Sequence, residues 1–253
     1  MTKPINETPF SPAPSKELGL FPIPMLRGNL PLNHSMVAQS CREIIQEYVS
    51  KGEDVQTNYT TYFCKDAQEH THSLEWFKDL SDIVKDTYAD WYMKSMNEDM
   101  TLLTRNDIHF FAWINRYTEP HMHDVHNHPR CLMSGTYYVK VDESTTPIKF
   151  TNPNPAAAMF TRGNDMNYEN EQGYNNIIRN GHGISTQEYF VHPTTGEFLM
   201  WPSYLYHMVP KTQSEDQNYE RITISFNLFH NMELHTNTTG RDFDYSLLRS
   251  ENE

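Results

Sequence analysis

The stretch Trp113–Val139, WINRYTEPHMHDVHNHPRCLMSGTYYV, constrains the fold more than any other part of the chain. Four of the 13 histidines fall within it, at positions 121, 123, 126 and 128. On a strand, residues two apart point to one face, so the imidazoles of His126 and His128 converge there. Pro129 pushes His128 toward an extended backbone and offers no N–H of its own, so ladder pairing falters just beyond the pair. The two histidines therefore belong at a strand end, at the mouth of a sheet or barrel. With a distant third histidine they would make a metal site.

The rest of the chain supplies a body for such a strand. Residues 1–19 are polar and carry four prolines, which reads as a flexible arm. Leu20–Met25 reads as an edge strand whose prolines block further pairing. Residues 35–51 read as a helix with Ser35 as N-cap, an apolar stripe of Met36, Val37, Cys41, Ile44, Ile45 and Val49, and Gly52 as its stop. A second helix is expected over Ser73–Lys94, where Leu74, Phe77, Leu80, Ile83, Val84, Tyr88 and Trp91 keep a 3.6-residue period.

From Ile108 the grammar changes to β-branched and aromatic runs. Strands are expected over 108–117, 132–141, 148–150, 187–192, 197–201 and 221–229. Residues 154–186, rich in Asn and Gly, read as a long loop insertion of the kind that compact domains carry for a functional reason such as a lid. Residues 236–253 form a polar tail. The expectation is one domain over 20–235, with a helical part at 35–95 and a β core at 108–230. Its fold class is mainly β with an α layer, a jelly roll whose N-terminal helices pack on one sheet.

Composition limits the partners. A formal net charge of −13 argues against a broad nucleic-acid footprint. Cys41, Cys64 and Cys131 are odd in number and widely spaced, which suits a reducing compartment rather than a disulfide framework. The opening residues are not those of a signal peptide, and no apolar run approaches the roughly 18 residues that cross a bilayer. A cytoplasmic setting is expected.

The third histidine of the site is His207, in WPSYLYHMVP, just after the strand at 197–201. Arg221 opens the strand RITISFNLF, where its planar fork can pair with the carboxylate of an anionic co-substrate. Taken together, His-x-His, SGTYYV, WPSYLYHMV and RITISFN resemble the iron(II)/2-oxoglutarate-dependent oxygenases. More closely, LFPIP, W-x-N and SG-x-YY resemble a branch found in bacteria and tailed phages. The likeness runs from about Leu20 to Phe229 and is silent on substrate.

The resemblance implies a double-stranded β-helix binding Fe(II), 2-oxoglutarate and O₂. It implies His126 and His207 as iron ligands and Arg221, beside Thr223, as the residue on the far carboxylate of 2-oxoglutarate. Asn115 and Tyr117 resemble the Asn-x-Tyr element that holds 2-oxoglutarate in some members. Tyr138 lies where prolyl-hydroxylase-like members place a tyrosine on the same carboxylate, with Tyr137 as its competitor. One departure stands out: the family's usual second ligand is Asp or Glu, and here that position is His128. Asp124 is the alternative carboxylate. His121 and His123 differ in parity from 126 and 128, and are expected at the pocket rim.

The expected activity is hydroxylation of a peptide side chain or small molecule, with release of succinate and CO₂, in a host's cytoplasm if the chain is phage-encoded. Two rivals stand beside it. A three-histidine site also suits a zinc hydrolase or a cupin-like dioxygenase, and a jelly roll can be a structural or virion module. Ser134 is no hydrolase nucleophile, because Gly-x-Ser-x-Gly is not satisfied around it. Gly135 is expected to permit a close backbone approach. Trp113 and Trp201 read as core residues.

Overall fold

The computed structural model describes residues 23–53, 60–64, 66–96, 105–118, 121–142, 145–153, 188–211 and 219–230. The expected arm at 1–19, the loop insertion at 154–186 and the tail at 236–253 lie outside the described residues.

Among the described residues, nine strands form two antiparallel sheets. In chain order they are β1 (Leu26–Asn29), β2 (Ile108–Tyr117), β3 (His123–His126), β4 (Met133–Lys140), β5 (Ile148–Thr151), β6 (Glu188–Val191), β7 (Glu197–Pro202), β8 (His207–Val209) and β9 (Arg221–His230). The larger sheet runs β1-β7-β4-β9-β2 and the smaller β3-β8-β5-β6. From β2 to β5 the chain alternates between sheets; β5 and β6 pair with each other, and β7 to β9 alternate again. This strand order resembles the double-stranded β-helix. Among the described residues the two sheets are not joined by pairing.

Alternation on β9 explains how the layers assemble. Ile222, Ile224, Phe226 and Leu228 point to one face, where they join Phe110, Ala112, Ile114, Tyr137, Phe198 and Met200 in the main core. Helices α1 (His34–Ser50), α2 (Ala67–His72) and α3 (Glu75–Met96) cover that face. Fully burying one such side chain stabilises the fold by roughly 1.5–3 kcal/mol. That matters most for α2, whose 6 residues are too few to hold a helix by propensity. The opposite face of the large sheet carries Tyr138, Leu199 and Trp201, which meet Ile148, Phe150 and Val191 of the small sheet.

Local details depart from the sequence reading in instructive ways. The cap of α1 is Asn33, whose side chain accepts from the Met36 N–H, and not Ser35. Met36 is 49% exposed and lies off the apolar stripe. Gly52 does end the helix, at φ 85°, with Gly52 N–H bonded to the Val49 carbonyl and Glu53 N–H to that of Tyr48. Of the edge strand expected at Leu20–Met25, residues 20–22 lie outside the described residues, and β1 begins at Leu26, after Pro24. The strand end expected at His126 and His128 is that of β3, which stops at His126, and β8 was not expected as a strand. No helix among the described residues is long and apolar enough to cross a membrane.

Candidate metal centre

The two short strands of the small sheet carry the histidines. His126 ends β3 and lies opposite His207, the first residue of β8. The strand stops there, so His128 does not share it. Instead the His128 N–H bonds the Ser203 carbonyl at 3.0 Å, which ties the segment after β3 to the turn between β7 and β8. The three rings then face one another, with centroids 4.2 Å apart for His126–His207 and 5.2 Å for each pair with His128. One nitrogen from each lies within 4.8 Å of the others.

The outer nitrogen of each ring is fixed. His126 Nδ1 lies 2.6 Å from the Asp124 carbonyl, His207 Nδ1 2.9 Å from that of Leu205, and His128 Nδ1 2.7 Å from Asn227 Oδ1. Each of these oxygens can only accept, so Nδ1 carries the proton and donates, and Nε2 is left with its lone pair. Ser134 Oγ also donates to Asn227 Oδ1, at 2.9 Å, and holds that amide in place. Burial, with repulsion from neighbouring imidazoles, pushes His207 down to about 3. Burial pushes His128 down to about 4 against the opposing bond from Asn227. The rings are therefore neutral near pH 7. Nitrogens bound to one ion at about 2.1 Å lie no more than about 4.2 Å apart. The triad closes onto an ion with shifts below about 1 Å, and its donors fit a borderline transition metal.

The Asp124 carboxylate is not in this group: its side chain is exposed, and its backbone carbonyl orients His126. A register shift between His123 and His126 breaks the regular parity of β3. It brings the His123 ring flat against His126, with centroids 4.2 Å apart. His121 stacks on Tyr117 at 5.1 Å. Neither His121 nor His123 belongs to the triad.

The triad opens into a cleft between the sheets, lined also by Asn115, Tyr117, Tyr138, Arg221 and Thr223. Register explains their company: on the large sheet Asn115 lies opposite Thr223 and Tyr117 opposite Arg221, while Tyr138 flanks Thr223 from β4. Asn115 Nδ2 donates to Thr223 Oγ1 at 3.3 Å and to Ser225 Oγ at 2.9 Å. Tyr137 faces the helices instead, with its hydroxyl 2.6 Å from His34 Nδ1. Arg221 is 5% exposed, and Tyr117 and Tyr138 lie about its guanidinium at 6.0 and 5.8 Å. Among the described residues its Nε has no hydrogen-bond partner, and Nη1 donates to the Thr146 carbonyl at 3.4 Å. The Tyr138 hydroxyl and Trp201 Nε1 are likewise buried and unpaired among the described residues.

Sequence reasoning missed Asn227, Ser134 and Ser225. The signal was present in RITISFN, where Arg221, Thr223, Ser225 and Asn227 alternate with apolar residues and so share the cleft face. Trp201, read as core, does pack on Phe150, but it also lines the cleft at 4.9 Å from His207.

Residues 111–227 match a family model described as "Putative 2OG-Fe(II) oxygenase". That match spans the three histidines and Arg221, and over these residues the chain is similar to the 2OG-Fe(II) oxygenases. Among solved structures, the chain is similar to a prolyl-4-hydroxylase from Pseudomonas putida at 11% identity and a TM-score of 0.47, over 83% of this chain and 94% of that one. It is similar to AviO1 from Streptomyces viridochromogenes Tue57 at 8% identity and a TM-score of 0.48, over 83% and 91%. It is also similar to HygX from Streptomyces hygroscopicus, determined with iron bound, at 10% identity and a TM-score of 0.44, over 83% of each chain. No curated protein matches the sequence.

Proposed function

We propose that this protein is an Fe(II)- and 2-oxoglutarate-dependent dioxygenase that hydroxylates a peptide side chain or a small molecule. One observation carries the reading: a single cleft holds three neutral imidazoles and a buried guanidinium that has no carboxylate within ion-pair distance among the described residues. A buried cation without a counter-charge costs several kcal/mol. The cost is offset when an anion enters, and a dicarboxylate able to reach both the metal and Arg221 fits that demand.

His126, His128 and His207 hold the metal in this reading through Nε2. Arg221 pairs with the far carboxylate of 2-oxoglutarate, and the Tyr138 and Thr223 hydroxyls donate to it. Asn115 orients Thr223, and Tyr117 walls the guanidinium. Fe(II) with 2-oxoglutarate and O₂ supplies the oxidising chemistry, releasing succinate and CO₂ and delivering oxygen to a substrate C–H bond. Trp113, Ile148 and Trp201 line the cleft and exclude water from it.

A net charge of −13 disfavours nucleic acid as substrate. Kinship with the branch of bacteria and tailed phages rests on LFPIP, Trp113-x-Asn115 and the Ser134–Tyr138 motif, and a cytoplasmic location belongs to the same reading.

The test is an anaerobic titration of metal-free protein with Fe(II) and 2-oxoglutarate, followed by visible absorption. A charge-transfer band is expected, lost in His207→Ala and weakened at least about tenfold in apparent affinity in Arg221→Ala. Protein that binds iron without such a band would instead be a three-histidine enzyme of other chemistry. Protein that binds neither would be a jelly-roll scaffold.

A further inference from the structure

We infer that the cleft takes a second anion beside the co-substrate, a carboxylate carried by the substrate, seated in the hollow walled by Tyr117, His121, His123, Tyr219 and Arg221. The inference rests on the proposed oxygenase reading and adds a substrate class to it.

The argument is one of charge. All three candidate ligands are neutral imidazoles, where the related enzymes place a carboxylate among them. The groups behind them are neutral too: two backbone carbonyls and the amide of Asn227. No Asp or Glu side chain lines the cleft among the described residues. Glu220, next to Arg221 in sequence, is already committed to Arg42, Arg116 and Lys140. A divalent ion and Arg221 together bring three positive charges. A dianionic co-substrate cancels two and leaves one. Inside a cleft, where charges are poorly screened, that excess favours one further anion and disfavours a cationic substrate.

The place for it adjoins the metal site. A smaller, open hollow shares Tyr117, His123 and Arg221 with the main cleft, and adds His121, Met122, Val209 and Tyr219. Its walls therefore hold two imidazoles, two phenols and a guanidinium, and no acidic group. His123 makes no hydrogen bond among the described residues, yet an imidazole always offers a donor, and this one borders both hollows. Met122 and Val209 give the remaining wall an apolar surface for the carbon skeleton of the ligand.

The experiment measures binding, not turnover. Protein loaded anaerobically with Co(II) and then 2-oxoglutarate is titrated with acetate, with its neutral isostere acetamide, and with azide, and followed by visible absorption and calorimetry. Acetate is expected to bind at least about tenfold tighter than acetamide. His128→Asp, which restores a negative charge, and His123→Ala are each expected to weaken acetate about tenfold. Should His128→Asp not fold, the acetate-to-acetamide ratio and His123→Ala decide alone. Equal affinity for acetate and acetamide overturns the inference. So does acetate binding that ignores His123→Ala, or binding of azide without acetate, which would mark a small inorganic anion on the metal. Failure of the oxygenase reading is seen separately, as absence of Co(II) or 2-oxoglutarate binding in the first two additions.

Discussion

Asn227 shows how much of the site depends on a residue that touches no substrate. Its Oδ1 accepts from both His128 Nδ1 and Ser134 Oγ, so one amide sets the tautomer and the angle of one ring of the triad. Replacing Asn227 by Ala is expected to lower divalent-metal affinity about 10- to 100-fold, as measured by competition with a chelating dye. Thermal stability should change little by comparison, since the same variant leaves the apolar face of β9 intact. At this scale the sequence was informative wherever chemistry has spacing. His126, His128, His207 and Arg221 stand out by motif, and all four line the cleft. The role of Asn227 was not legible, because an Asn on a strand carries no motif until its neighbours in space are known. His123 illustrates the reverse: parity set it apart from His126, and the register shift within β3 brings its ring against His126 after all.

Strand β4 carries the tightest packing constraint among the elements. A Cβ on Gly135 would lie 2.3 Å from the Phe226 ring and 2.5 Å from the Leu199 carbonyl of β7. The aromatic ring can shift only into a filled core, and a paired strand's carbonyl cannot shift alone. Gly135→Ala is therefore expected to cost at least about 2 kcal/mol, read from chemical denaturation. The expected close approach at this glycine is thus met on the helical side of the sheet, while Ser134 and Thr136 face the cleft. Long elements were readable from periodicity: β2, β4, β9, α1 and α3 lie within a few residues of their expected bounds. Of the short strands, β5 and β6 lie near their expected bounds, β3 was expected only as the strand end carrying the histidines, and β8 was not expected. With 4 and 3 residues, β3 and β8 are held by pairing and by their neighbours, and histidines give no propensity signal. The six-residue α2 was missed for the same reason: the fold around it, more than its own sequence, makes it helical.

At the scale of the molecule, one carboxylate ties the layers together. Glu220 is buried at the start of β9 and meets Arg42 of α1 at 2.6 Å, Arg116 of β2 at 2.8 Å and Lys140 of β4 at 2.8 Å. Burial raises its pKa, but the bonds from Arg42, Lys140 and Arg116 outweigh burial and hold the carboxyl down to about 2. Because the folded pKa lies below the unfolded one, the unfolded chain takes up protons first. The stabilisation is present above about pH 4.5 and is lost as pH falls toward about 2. The cations are partly exposed, so the contribution is on the order of 2 kcal/mol. Denaturation of wild type and Glu220→Gln across pH 2–7 should give curves that lie apart above about pH 5 and merge at the acid end. Composition could not reveal this hub, and it misled in one respect. A chain with net charge −13 carries a cleft whose described lining holds Arg221 and no acidic side chain. Bulk charge describes the surface as a whole, whereas the field inside a cleft is set by the few groups that line it.

The all-imidazole cage has a consequence for metal supply. Nitrogen donors follow the order in which copper and zinc outcompete iron for the same ligands. If His126, His128 and His207 hold the metal as proposed, they offer, without an anionic oxygen ligand, little that prefers Fe(II) over its competitors. Which ion the protein carries is then decided by the free metal concentrations around it as it folds. Mismetallation with zinc would leave a correctly folded but redox-silent molecule, so the cell's iron-to-zinc ratio would act on this protein as directly as any mutation in its cleft.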